Sequence, residues 1–370
     1  MKIVFDSQIF GWQQYGGISR YFSELADYFA HSTKEKVKIF SPFYVNEYIS
    51  AVTNHPFGIK VPNWPRFYIF YRWANFLLGK LTVRNLRDVD IFHETYYSFS
   101  DICPPSAKRV ITVLDMTHEK FMEFFAKNNP TSLNKAYAVH RADHIICISE
   151  NTRQDLITLL GVPKEKTSVV YLGWSLNSHN DANTFQPPRK PFVLFVGQRP
   201  GYKNFQRLLK VFAHSKILKK DFSLVCFGGG RFSEEEKRDI ESLRLSLYDV
   251  IQISGDDNLL GKLYSRAAVF VYPSLYEGFG IPLLEAMAFD CPVACSNTSS
   301  FPEVVGNAAE LFDPIDESDI MRAIEGVLLS AERSSVLIQK GKERIKLFSW
   351  EKCAQETLQV YRKILRGQVS

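Results

Sequence analysis

Paired cysteines are missing from this sequence. Its six, Cys103, Cys147, Cys226, Cys291, Cys295 and Cys353, are scattered and form no C-x-x-C, which excludes a zinc ribbon and a disulfide frame. Several sit in apolar runs such as Ile145-Ile146-Cys147-Ile148, where they read as small buried hydrophobes, and a reducing cytosol fits them. No uninterrupted apolar stretch is long enough to span a bilayer. The opening run Met1–Asp6 is too short for a signal peptide, so the expectation is a soluble or peripheral, cytoplasmic protein. Charge of one sign is scarce: +5 over 370 residues calls for no nucleic acid, but permits contact with phosphates or an anionic membrane. There is no tandem repeat and no low-complexity segment. Gly228-Gly229-Gly230 follows a strand-like run, but Ser233 stands where G-x-G-x-x-G needs its last glycine, so no dinucleotide fingerprint results. A Walker P-loop and a G-x-S-x-G elbow are likewise absent.

What is present is alternation. A hydrophobic fraction of 45% and a charged fraction of 23% are those of a globular chain, and 370 residues are long for one core. Short β-branched or aromatic runs predict strands at Lys2–Phe5, Val37–Phe40, Ile91–His93, Val110–Leu114, His144–Ile148 and Ser168–Tyr171. A second series falls at Phe192–Val196, Phe222–Phe227, Val250–Ser254, Val269–Tyr272, Pro292–Ser296 and Glu310–Phe312. Helical spacing is read over Gly17–Ala30, Asn204–Leu218, Leu259–Ala268, Ile281–Phe289 and Ser318–Leu329. The stretch Ser175–Pro191 lacks periodicity, contains Pro187-Pro188 and reads as a linker. The predicted fold class is therefore α/β, two doubly wound parallel-sheet domains over 1–174 and 192–349, with a last helix in 350–370. Ligands of such sheets bind at the carboxyl ends of strands.

The strongest local signal is Val271-Tyr272-Pro273-Ser274-Leu275-Tyr276-Glu277-Gly278-Phe279-Gly280-Ile281-Pro282-Leu283-Leu284-Glu285-Ala286-Met287. A buried strand ends, a loop carries Glu277 and two glycines, and a helix starts near Ile281 with Pro282 where a missing N–H costs nothing. Gly278 and Gly280 allow close backbone approach, and the helix start suits a phosphate. Glu285 falls on the first helical turn. Two carboxylates about one such start suit a polyol, one for sugar hydroxyls and one for a ribose diol. Either acid alone would read as an ordinary surface acid.

The string resembles the E-x7-E signature of glycosyltransferase family 4, whose members have the GT-B fold of two Rossmann-like domains facing across a cleft. The resemblance implies that Glu277 contacts the transferred sugar, that Glu285 takes the ribose hydroxyls, and that the backbone of Gly278, Phe279, Gly280, Ile281 and Pro282 grips sugar and diphosphate.

A second motif, Phe195-Val196-Gly197-Gln198-Arg199-Pro200-Gly201-Tyr202-Lys203-Asn204-Phe205, sets two cations after a strand. Arg199 and Lys203 can converge on one diphosphate without a metal and stabilise the charge of the departing group; the segment is similar to the family's paired Arg/Lys. A third, Gln14-Tyr15-Gly16-Gly17-Ile18-Ser19-Arg20, puts two glycines at a helix start. It resembles the family's N-terminal glycine loop, which implies donor contact through Gly16 and Gly17. A fourth, Val113-Leu114-Asp115-Met116-Thr117-His118-Glu119, places Asp115 and His118 just past a strand. Many relatives carry His where Leu114 stands, so His118 is read either as a polar partner near sugar or acceptor or as a structural histidine. By family position Asp256, Asp257 and Leu260 lie beside the nucleobase. His93 is read equally as a site or a supporting residue, and Ser149 as an N-cap.

Asp88-Val89-Asp90 matches the D-x-D of metal-dependent glycosyltransferases, but it leads into an N-terminal strand and reads as a turn; no metal and no cofactor are expected. Between Lys60 and Arg87 the basic residues Arg66, Arg72, Lys80 and Arg84 occur without an acid, interleaved with Trp64, Phe67, Tyr68, Phe70, Tyr71, Trp73 and Phe76. That is the pattern of an interfacial membrane helix, or of a helix that buries its aromatics in the N-terminal core. The resemblance as a whole implies a retaining, metal-independent transfer of a hexose from a nucleotide sugar. It is nearest to bacterial mannosyltransferases of surface polysaccharides, so GDP-mannose is the expected donor and a lipid-linked glycan the expected acceptor. Another GDP-deoxyhexose or a UDP-hexose, and a silent glycan-binding subunit, are the rivals. The family also implies that the C-terminal helix returns to the N-terminal domain.

Overall fold

The computed structural model describes every residue except 53–56, 177–187, 200 and 369–370. Most of the expected linker 175–191 therefore lies outside the described residues. The chain divides into two compact units, Met1–Gly173 together with Trp350–Ser370, and Trp174–Ser349.

The first unit holds seven strands: β1 Lys2–Phe5, β2 Lys36–Tyr44, β3 Phe57–Lys60, β4 Ile91–Glu94, β5 Lys108–Val113, β6 His144–Cys147 and β7 Thr167–Val169. Their order is β3-β2-β1-β4-β5-β6-β7, and every pairing is parallel. The second unit holds β8 Phe192–Val196, β9 Ser223–Phe227, β10 Val250–Ile253, β11 Val269–Tyr272, β12 Val293–Ser296 and β13 Glu310–Phe312. Their order is β10-β9-β8-β11-β12-β13, again all parallel. Helices cover both faces of such sheets, so central strands are apolar throughout; all five residues of β8 are buried. In each sheet the chain winds outward in one direction and then restarts beside its first strand. The switch points fall between β1 and β4, and between β8 and β11. Loops leaving these strands carry the ligand sites of the doubly wound class.

Three local features differ from, or sharpen, the sequence expectations. The helix expected over 204–218 is two helices, Phe205–His214 and Lys216–Asp221. Ser215 adopts an extended backbone between them and its side chain accepts from the Leu218 amide at 3.0 Å, which restarts the helix. The strand β3 was not expected; Gly58 permits it, since a Cβ there would collide with the Ser41 carbonyl.

The third concerns the basic aromatic stretch. Its helix, Tyr68–Leu81, buries only Asn75 and Gly79. Asn75 donates to the Phe43 carbonyl at 2.9 Å and accepts from the Phe43 amide at 2.8 Å, and Gly79 lies against Ile102. A polar clasp and a small-residue contact hold this helix to the sheet, with Phe76 packed against the core and Tyr71 stacked on Phe43. Ile69 is 82% exposed and Trp73 60%, with Trp64, Phe67, Phe70 and Leu81 exposed beside them. The reading that placed these aromatics in the core holds for Phe76 and is corrected for Trp64, Phe67, Phe70 and Trp73, which are exposed.

The helix Trp350–Leu365 belongs to the first unit. Cys353, Ala354, Thr357, Leu358, Tyr361 and Ile364 form its buried stripe at helical spacing. Tyr361 packs against Phe29 and its hydroxyl meets His93 Nδ1 at 2.5 Å. Arg362 pairs with Glu35 at 2.8 Å.

Candidate functional site

The second unit assembles its polar residues where β8 and β11 end. The loop after β8 runs through a short 3-10 turn, Gly201–Lys203, and delivers Lys203. The loop after β11 delivers Glu277 and then enters the helix Ile281–Ala288. Lys203 Nζ donates to Glu277 Oε1 at 2.5 Å, and Ser274 Oγ donates to the same oxygen at 2.7 Å. Burial alone would lower the pKa of the Lys203 ammonium, but Tyr272, Glu277 and Tyr202 overcome it and hold the group firmly protonated.

A polar run after β12 fixes the loop from behind. The Glu277 amide donates to Ser299 Oγ at 3.1 Å, and Ser299 Oγ donates back to the Glu277 carbonyl at 2.6 Å. Ser300 Oγ is 2.9 Å from both the Glu277 and the Phe279 carbonyls. Gly280 caps the helix with φ 105°, a conformation that favours glycine. Glu285 is 8% exposed and accepts from the Tyr264 hydroxyl at 3.3 Å. The site therefore presents a held cation, a held carboxylate and a helix start, with a second carboxylate, Glu285, on the second turn of that helix rather than on the expected first.

Arg199 stands elsewhere. It is 4% exposed. Its Nε donates to Glu236 Oε1 at 2.5 Å, and its two terminal nitrogens donate to the carbonyls of Gly228, Gly229, Gly230 and Arg231 at 3.0–3.2 Å. Phe232 lies under the guanidinium at 4.8 Å. In this structure the planar fork of Arg199 shapes the glycine turn after β9. Asp256 is a helix N-cap whose Oδ1 accepts from the Leu259 amide at 2.9 Å, and Leu260 is buried.

In the first unit Gly16 caps the helix Gly17–Ser32. The Gln13 side chain accepts from the Ser19 amide at 3.0 Å and fills the space a Gly16 side chain would need, whereas a Cβ on Gly17 would meet nothing within 4 Å. Asp115 Oδ1 accepts from the Thr117 amide at 2.9 Å. Lys135, fully buried, donates to the Asp115 carbonyl at 2.8 Å and to Glu119 Oε2 at 2.7 Å. His118 stacks on Phe125 with ring centroids 3.9 Å apart; burial lowers its pKa against the pull of Asp115. His93 is a supporting residue, completely buried between Tyr361 and Thr112, with burial pushing its pKa down to about 3. Ser149 accepts from the Thr152 amide at 3.0 Å as an N-cap. Asp88 pairs with the Lys2 ammonium, and Asp90 Oδ2 accepts from the Lys2 amide at 2.7 Å, so both acids of the D-x-D string tie down the start of β1.

The structure thus brings Lys203, Glu277 and the start of Ile281–Ala288 together, with Glu285 on the same helix, and leaves Arg199 and Asp256 out of that group. Asp115 and His118 are grouped in the first unit. Sequence reasoning did not single out Ser274, Ser299, Ser300, Gln13 or Lys135. The run Asn297-Thr298-Ser299-Ser300 after a predicted strand was a visible signal for two of them.

Residues 178–344 match the family model described as glycosyl transferases group 1, and residues 15–177 the one described as glycosyltransferase family 4. The chain belongs to glycosyltransferase family 4. Its two units are the Rossmann-like halves of the GT-B fold. This glycosyltransferase is 27% identical over 383 aligned residues to O-antigen chain mannosyltransferase B of Escherichia coli, covering 98% of this chain and 100% of the relative. It is 29% identical to the Salmonella typhimurium O-antigen chain mannosyltransferase RfbU, over 60% of this chain and 62% of that one. Among solved structures, sucrose-phosphate synthase from Thermosynechococcus elongatus superposes with a TM-score of 0.75 at 20% identity, over 99% of both chains. Anabaena HepE, solved with UDP and glucose, gives 0.73 at 17% identity over 98% of this chain and 100% of that one. No helix among the described residues is long and apolar enough to cross a membrane.

Proposed function

We propose that this glycosyltransferase moves mannose from GDP-mannose, with retention at the anomeric carbon and without a metal ion, to a lipid-linked glycan in surface-polysaccharide synthesis. The observation that carries the reading is the Lys203–Glu277 pair on the two loops of the β8/β11 switch point. The names of the relatives aligned above, both O-antigen mannosyltransferases, support the choice of sugar and setting.

In this mechanism no enzyme side chain attacks the sugar. The acceptor oxygen forms its bond to the anomeric carbon on the face from which the diphosphate leaves, as the carbon–phosphate oxygen bond breaks. The acceptor proton passes to a departing phosphate oxygen. Lys203 and the start of the helix Ile281–Ala288 stabilise the charge that develops there. Glu277 orients the sugar hydroxyls, and Glu285 takes the ribose diol. Arg199 contributes by holding the turn at 228–231.

Membrane attachment is part of the same reading. The exposed aromatic face of 64–81, with Arg66, Arg72, Lys80, Arg84 and Arg87 and no acid between residues 60 and 87, suits an anionic bilayer surface.

The test is proton NMR of the sugar released from GDP-mannose during slow uncoupled turnover in excess EDTA. The α-anomer should appear first. Release of the β-anomer would overturn retention, arrest by EDTA would overturn the metal-free step, and turnover of a UDP-hexose alone would replace the donor.

A further inference from the structure

Lys203 and Glu277 come from loops that leave different strands, so their register needs an anchor besides the ion pair itself. Asn204, the residue after Lys203, supplies one. It is 8% exposed and opens the helix Phe205–His214 with a left-handed backbone, φ 60° and ψ 26°. Glycine adopts that conformation at least cost, and asparagine is among the few residues with a side chain that tolerate it. Asparagine at a helix start usually turns its side chain onto the amides of its own first turn. Asn204 makes no such bond, so backbone conformation and helix capping leave its side chain unexplained.

Its amide reaches other strands instead. Nδ2 donates to the Pro273 carbonyl at 3.0 Å and to the Pro314 carbonyl at 2.8 Å. Pro273 follows β11 directly, and Pro314 lies two residues past β13. Oδ1 accepts from Arg207 Nη1 at 2.9 Å, and the same nitrogen donates to the Pro314 carbonyl at 3.0 Å. Both donors of the amide are thus spent, and the guanidinium fixes which end is oxygen. On the other side of Lys203 the Leu275 amide donates to the Tyr202 carbonyl at 2.8 Å. Two hydrogen bonds therefore join 202–204 to 273–275, one on each side of Lys203. Ser274, inside the joined stretch, donates to the Glu277 oxygen that Lys203 also meets.

We infer that Asn204 is a positioning residue for the transfer. Its amide clasps the loops of β8 and β11 to each other and to the exit of β13, and so sets the Lys203 ammonium and the Glu277 carboxylate at their working separation. The inference rests on the transferase reading above and adds to it a residue that acts through Lys203 and Glu277. A group displaced by about 1 Å can lose about 100-fold in rate, so a clasp remote from the chemistry can govern turnover.

The test uses the full chain. Asn204→Gly keeps the left-handed backbone and removes the amide. Asn204→Asp keeps the shape but turns an oxygen on the two carbonyls. Arg207→Ala leaves residue 204 intact and frees its amide to turn. Hydrogen exchange without nucleotide should show the Leu275 amide opening about tenfold or more faster in both Asn204 variants, with Arg207→Ala moving it less in the same direction. GDP-mannose turnover by the same folded proteins should fall about tenfold or more, with no rescue in Asn204→Asp. In Lys203→Ala, adding Asn204→Gly should cost less than about threefold further, because both act on one group; general destabilisation would multiply the losses instead. An unchanged Leu275 amide in Asn204→Gly, or losses that multiply in the double variant, would overturn the clasp. Wild-type turnover in Lys203→Ala would fall on the transferase reading, with the exchange of Leu275 still deciding the clasp.

Discussion

Lys203 Nζ lies 2.5 Å from Glu277 Oε1, so the loops that leave β8 and β11 meet through one ion pair at the switch point of the second sheet. Glu285, eight residues beyond Glu277, meets a different partner, Tyr264. On the proposed reading the two acids serve two parts of one donor, and they can be separated experimentally.

Glu277→Gln keeps the shape of the loop and its contacts to Ser299 and Ser300. Turnover should fall about 100-fold or more, the scale of losing one transition-state contact, while the affinity for free GDP changes little. Glu285→Ala should do the reverse at the ground state, weakening GDP about tenfold through lost ribose hydrogen bonds. Isothermal titration with GDP beside a turnover assay reads both. Unchanged turnover in Glu277→Gln would remove this acid from the reaction.

Arg199 is expected to behave as a structural residue. Arg199→Ala strips the carbonyls of 228–231 of their shared donor and leaves Glu236 without its cationic partner. A loss of about 3 kcal/mol in urea unfolding follows, and Arg199→Lys should not restore it, because an ammonium cannot fork across four carbonyls. A variant of wild-type stability with lost turnover would return Arg199 to the donor.

The pH dependence of stability should carry the mark of His93. Its native pKa is pushed down to about 3 by burial, so the unfolded chain takes up a proton below about pH 6.5 that the folded chain refuses. The stabilisation is complete above that pH and is lost as pH falls towards 3, by up to about 1.4 kcal/mol per pH unit. His93→Gln should flatten thermal unfolding between pH 7 and pH 5. The remaining slope combines His144, which burial lowers to about 4, with Glu94, which burial raises to about 7 and which acts in the opposite sense.

Membrane attachment should follow the exposed face of 64–81. The chain should co-sediment with phosphatidylglycerol vesicles and not with phosphatidylcholine vesicles, each basic residue near the surface contributing about 1 kcal/mol. Trp73→Glu together with Arg72→Glu should abolish binding while the melting temperature holds, since neither side chain is packed in the core. Equal sedimentation of the double variant would remove this face from the account.

Where the sequence was legible, the physical cause is local. β1, β8, β11 and β13 begin and end on their expected residues; for the central strands β8 and β11 the reason is that a strand buried on both faces must be apolar throughout. Glu277 and the helix start were legible because acid, glycines and proline fall at fixed spacing in one string. The partners of Arg199 were not legible, because a basic turn does not reveal them; Glu236 and the 228–231 carbonyls come from β9 and beyond. The helix 68–81 kept two readings because an aromatic, basic pattern looks alike in a core and on a surface. The clasp of Asn75 on Phe43, which leaves Trp73 exposed, joins residues 32 apart in sequence. A cavity of about 710 Å³ beside Trp12 was invisible for the same reason, since its lining comes from the loops that follow β1 and β4 and from later segments.

The donor site itself is tested most directly by the thermal stability of the wild-type chain with GDP-mannose, GDP, UDP and ADP in excess EDTA. The account predicts that GDP-mannose and GDP raise the midpoint with a concentration dependence that reports their affinity, that EDTA leaves the shift intact, and that Glu285→Ala reduces it. A midpoint that no guanine nucleotide moves, or a shift that vanishes with EDTA, would contradict it.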